Sequence, residues 1–210
     1  MRLNSELASR PFVGKSLGAL LLIALFQMAA CNGTATEDND TTNTFVKINE
    51  MRSADTTEGE DIFSDVCILD MSTPPNCTVT NDNAAVNMQA QPKDFSQPAG
   101  QVNDIVFTRY RVTYIRADGR NVPGVDVPYP FDGAANFRVD FDGSEVVRVF
   151  MIVRPQAKLE SPLLEMQFGG GSQVISVLAR VDFFGTDIAG RQIQVTGTIN
   201  ITFADFADET

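Results

Sequence analysis

Histidine is absent from this chain of 210 residues, and so is tryptophan. Without an imidazole there is no Ser-His-Asp or Cys-His nucleophile and no histidine-held metal. Without tryptophan, a sugar-binding surface lacks its largest stacking ring. Cysteine is scarce, at three, too few for a thiolate zinc centre beside a disulfide. No apolar run reaches the roughly 20 residues that span a bilayer as a helix. A phosphate-binding glycine loop is missing too. Gly169-Gly170-Gly171 leads into a strand pattern, not into a helix whose N-terminus would hold an anion. Basic residues are outnumbered 16 to 27. A chain this acidic repels nucleic acid and anionic lipid, so neither is an expected partner.

What is present begins with an export signal. Arg2, Arg10 and Lys15 lead into an apolar stretch over residues 17–28, closed by the small pair Ala29-Ala30. That three-part order reads as a cleavable leader over residues 1–30. Met28-Ala29-Ala30-Cys31 resembles the lipobox of bacterial lipoproteins. The resemblance implies cleavage before Cys31, a diacylglycerol on its thiol, and acylation (palmitate or a similar chain) of the new N-terminus. Asn32 stands where an inner-membrane retention signal would place Asp. The expected address is therefore the bacterial cell envelope, at the outer membrane. A buried methylene contributes about 0.8 kcal/mol, so several chains together make a durable tether.

Residues 1–30 hold three basic side chains and one acid, so the exported remainder carries −13. Composition divides that remainder in two. Residues 31–62 carry −6 and are rich in Thr, Asn, Asp, Glu and Gly, with too little apolar surface to offset their ordering entropy. They read as a flexible acidic tether, with Phe45-Val46-Lys47-Ile48 as one candidate strand inside it. Residues 63–210 read as a single β-domain. Cys67 and Cys77 sit close together in an exported chain and are expected to pair. Closing that short loop stabilises by about 2.8 kcal/mol in the chain-entropy model.

Period-2 patterning recurs along the domain. In residues 104–116 the expected inward set is Val106, Thr108, Tyr110, Val112 and Tyr114, with Arg109, Arg111 and Thr113 outward. Residues 117–133 contain three prolines and read as loop. Phe137, Val139 and Phe141, then Asp142-Gly143, then Val147, Val149, Met151 and Val153 predict a hairpin. Residues 156–168 lack alternation and predict a crossing loop, with room for one helical turn. Ile175, Val177, Ala179, Val181 and Phe183 share one face. So do Ile193, Val195, Ile199, Ile201 and Phe203, where Gly197 interrupts the row and suggests a bulge or a close neighbouring backbone. Strands apolar on one face must bury it against each other. The expected fold is all-β, an antiparallel β-sandwich of immunoglobulin-like Greek-key type, with a small β-barrel as the alternative.

The segments VTYIRADGRNVPGVDVPYPFDG, VRPQAKLESPLL, GGG and VTGTINITFADFAD resemble a group of uncharacterised bacterial lipoproteins with β-sandwich domains. The resemblance covers most of residues 100–208. It implies a fold and an envelope address, and carries no catalytic residue across.

Chemistry is sparse. Paired carboxylates arise by chance in so acidic a chain, so no enzyme and no cofactor are expected. Asp140, Asp142 and Glu145 surround a turn and are weak calcium candidates; Asp118, Asp126 and Asp132 form a second acidic group. Arg109 and Arg111 are candidate contacts for an anionic ligand, and Tyr129 and Phe131 for a partner docking on the proline-rich loop. The expected function is a membrane-anchored, non-catalytic binding or adaptor module with a protein or glycan partner. A structural accessory subunit that pairs through an edge strand is the alternative, and a calcium-dependent carbohydrate-active protein a more distant third.

Overall fold

The computed structural model describes residues 42–55, 61–70, 76–94, 96, 100–168 and 173–206. The leader 1–30, Cys31 and the first part of the tether lie outside the described residues. Ten strands follow in order: β1 (Thr44–Ser53), β2 (Ile62–Asp65), β3 (Ile68–Asp70), β4 (Asn76–Thr78), β5 (Asp82–Pro92), β6 (Ile105–Ile115), β7 (Phe131–Val139), β8 (Glu145–Val153), β9 (Val174–Asp187) and β10 (Gln192–Ala204). A single α-helical turn, α1 (Pro155–Lys158), opens the crossing between β8 and β9.

The strands form a three-stranded sheet, β1-β5-β8, a five-stranded sheet, β2-β10-β9-β6-β7, and the small hairpin β3-β4. Pairing is antiparallel throughout except where β2 runs parallel to β10. The chain passes from one main sheet to the other between β1 and β2, between β5 and β6, between β7 and β8, and between β8 and β9. Those crossings are the Greek-key connections of an immunoglobulin-like sandwich, and the larger sheet curls like half a barrel.

The core fills the space between the sheets. Phe150 of β8 stands edge-on to Tyr110 and Phe183, with ring centroids 5.0 and 5.2 Å apart. Two tyrosines of β6 also stitch the layers: Tyr110 Oη donates to the Met151 carbonyl and Tyr114 Oη to the Ile152 carbonyl, each at 2.8 Å. Burial pushes both phenol pKa values up, so the hydroxyls stay protonated donors.

Four departures from the sequence expectation have physical causes. In β6 the inward set is Ile105, Phe107, Tyr110, Val112 and Tyr114. A bulge between Phe107 and Arg109 switches the parity there, which strict alternation misses. Second, β7 and β8 do not pair, although Asp142-Gly143 turns the chain between them. Asp104 is buried and accepts from the Phe141 N–H at 2.7 Å while holding Arg138; it ends β7 and sends the chain to the other sheet. Consequently Val147, Val149 and Met151 face solvent, and Phe150 and Ile152 face the core.

Third, the tether does not extend to residue 62. Thr44–Ser53 pairs with β5 over its length and buries Val46 and Met51. Its charged residues dilute the average composition, but Lys47 and Glu50 are exposed. Fourth, β10 passes Gly197 without any register shift. The gap is filled by side chains instead: a Cβ there would overlap Met51 and Ile48 of β1.

Candidate functional site

The outer face of the larger sheet carries the arginine pair. The β6 bulge turns both Thr108 and Arg109 outward. Gly185 on β9 makes room for it, since a Cβ there would press on the Val106 carbonyl. Arg109 lies 4.0 Å over the Phe184 ring and donates to Asp132 of β7 at 3.0 Å. Arg111 reaches the other Asp132 oxygen at 3.9 Å. One carboxylate thus faces both guanidiniums, the cross-strand neutralisation expected on a solvated sheet, and such exposed pairs contribute at most about 1 kcal/mol each. Beside them is a shallow depression of about 390 Å³ bordered by Thr108, Arg109, Phe184, Thr186, Gln192 and Gln194. Its walls carry hydrogen-bonding groups.

The loop joining β6 to β7 is a built structure. Asp126 accepts from the Val122 N–H at 3.1 Å, and the Val122 carbonyl accepts from Val125 and Asp126. Gly124 takes φ of +75°, and the Tyr129 ring lies against it where any Cβ would collide. Asp118 clamps the start of the loop, accepting from Arg116 at 2.7 Å and Arg120 at 2.9 Å. Hydrogen bonds from the Arg116 side chain, then from Arg120, hold its carboxyl well below the usual range. On this frame Val122, Val125 and Tyr129 are exposed by 56, 64 and 47%. Phe131 differs from Tyr129. It packs edge-on to Tyr110 at 6.2 Å, under the Arg154 guanidinium, and is mainly a rim of the core.

The calcium candidates do not converge. Asp140 pairs with Arg138 at 2.7 Å. Asp142 accepts from the Ser144 hydroxyl and N–H, which lower its pKa, and Glu145 accepts from Asn87 and Asn49. Asp118, Asp126 and Asp132 are likewise each engaged by separate partners. Among the described residues, no three acidic or sulfur ligands gather at one point.

Cys67 and Cys77 are joined, with Cα atoms 5.3 Å apart, and the bond closes the β3-β4 hairpin at the end of the sandwich that carries the β6–β7 loop. Near it lies a group that patterning does not reveal. Lys158 of α1 is wholly buried, with Nζ 3.1 Å from Asp82 Oδ2 at the head of β5. Ser64 of β2 donates to the same oxygen at 2.6 Å. Burial raises the Asp82 pKa against the opposing pull of Lys158 and Ser64. Lys158 sits in a segment without alternation, and only Pro155 at the first helical position hints that a turn folds it inward. No protein-family model matches the chain, and no curated protein matches it.

Proposed function

We propose that this chain is a lipid-anchored protein of the bacterial envelope whose sandwich is a non-catalytic binding module. The β6–β7 loop is its contact surface for a protein or glycan partner, and Cys31 is its anchor. The observation that carries the reading is the loop itself, three exposed apolar side chains held on a hydrogen-bonded frame. Preordered apolar groups lose little entropy on docking, which favours recognition. The position of the loop is also suited to it. The Thr44 hydroxyl bonds to the Asn103 carbonyl at the end where β6 begins, so a tether joining there leaves the loop at the far end. β6 spans 11 residues, about 36 Å at strand rise.

A second reading has its own support. Among the described residues β8 pairs on one side only, and it exposes Val147, Val149 and Met151 along one face. A neighbouring subunit adding a strand there would make the protein an accessory of a larger assembly.

Capture from envelope extracts separates the two. Under the loop reading, Val125→Asp/Tyr129→Ala loses the partner that the wild type retains, and Val149→Lys keeps it; the opposite result assigns the contact to β8. The anchor is checked by fractionation: Cys31→Ser is expected in the soluble periplasmic fraction, and a variant that stays with the membrane removes the lipoprotein reading.

A further inference from the structure

Among the buried groups, Lys158 and Asp82 serve no role in the binding reading. Lys158 is a long cationic side chain with no exposed surface, and Asp82 is exposed by only 13%. The two lie 3.1 Å apart, yet Nζ is poorly aligned for a hydrogen bond. A buried ion pair of that kind is held at a heavy desolvation cost. Both partners are also fixed in place. Asp82 is paired with Val153 at the head of β5. The α1 turn is pinned by buried Ala157 and by Gln167, whose amide donates to the Lys158 carbonyl at 2.9 Å and to the Val66 carbonyl at 3.3 Å.

We propose that Lys158 Nζ and Asp82 Cγ condense into an intramolecular side-chain amide. A proton passes from the ammonium to the carboxylate, leaving a neutral amine beside a carboxylic acid. The Nζ lone pair attacks Cγ, the N–C bond forms, and the Cγ–Oδ2 bond breaks. Oδ2 departs as water carrying two protons that began on Nζ, and Oδ1 becomes the amide oxygen. The Ser64 hydroxyl donates to Oδ2 at 2.6 Å, the oxygen that takes the ammonium proton and therefore the one that leaves as water. No oxidant, metal or other co-reactant is required. Fixing the two groups together replaces an encounter in solution with a step of high effective molarity. Burial favours the product, because a neutral amide replaces two buried charges and the water is lost to solvent. The raised Asp82 pKa agrees with the acid form the step needs.

The test is a tryptic map of the full-length chain, purified from the envelope in detergent and reduced to open the cystine. The expected result is one species joining residues 53–93 to residues 149–180. It should be one water lighter than the sum of the two, with no cleavage after Lys158. Separate peptides 53–93 and 149–158 at full mass would overturn the proposal, and this reading of the wild type does not depend on whether any variant folds. In Asp82→Ala the joined species should vanish. Ser64→Ala should slow its appearance after synthesis, and an unchanged rate would show that the Ser64 hydrogen bond to Oδ2 does not assist the departure of that oxygen.

Discussion

Tyr114 is buried to its hydroxyl, and its hydrogen bond is the companion of the Ile152 carbonyl in the interior. Tyr114→Phe keeps the ring and strands the carbonyl, so urea unfolding should register a loss of about 1–3 kcal/mol. Gly185→Ala sets a methyl group against the Val106 carbonyl, and overpacking of that kind is expected to cost about 1–3 kcal/mol in the same measurement. Asp118 bears on pH instead. Its folded pKa lies below the ordinary 3.8, so the unfolded chain takes up the proton first. Its clamp on Arg116 and Arg120 is complete above that value and is lost only as pH falls beneath it. A carboxyl resonance of Asp118 titrating below 3.8 checks the direction. At this scale the sequence is readable where chemistry is local, as with Cys67 and Cys77. Lys158 is opaque because its burial depends on β2 and β5, which are distant in the chain.

The elements were legible as strands and less so as pairs. β9 and β10 read correctly because apolar rows run unbroken from Ile175 to Phe183 and resume past Gly197, and one short turn joins them. β7 and β8 misread because an Asp-Gly turn between alternating strands looks the same whether the strands pair or part. What divides them is the buried carboxylate of Asp104, contributed from just before β6. The candidate site follows the same rule. Arg109 and Arg111 face outward, as their place in the strand pattern predicts. Their neutralisation by Asp132 and the depression beside Phe184 depend on a register shift in β6 that alternation does not encode. On β8, Val149→Lys replaces a side chain that is 62% exposed, so thermal unfolding should stay within about 0.5 kcal/mol of the wild type.

For the molecule as a whole, the domain begins before its composition suggests. A chain starting at residue 44 should keep a cooperative transition. One starting at residue 54 loses Val46 and Met51 from the core and bares the groove over Gly197. At about 1.5–3 kcal/mol for each buried side chain, the shorter chain should be less stable by about 3–6 kcal/mol in denaturant. The direction of β1 adds a mechanical consequence. Under the proposed function, a lipid tether would hold the strand by its Thr44 end, while a bound partner would pull from the opposite end of the sandwich. Load then runs along the strand axis, so the rungs between β1 and β5, from Thr44 with Pro92 to Ser53 with Ala84, are loaded in shear together. Peeling would break them one at a time at far lower force. A first strand laid in this sense would work as a strain-bearing splice between such a tether and the domain.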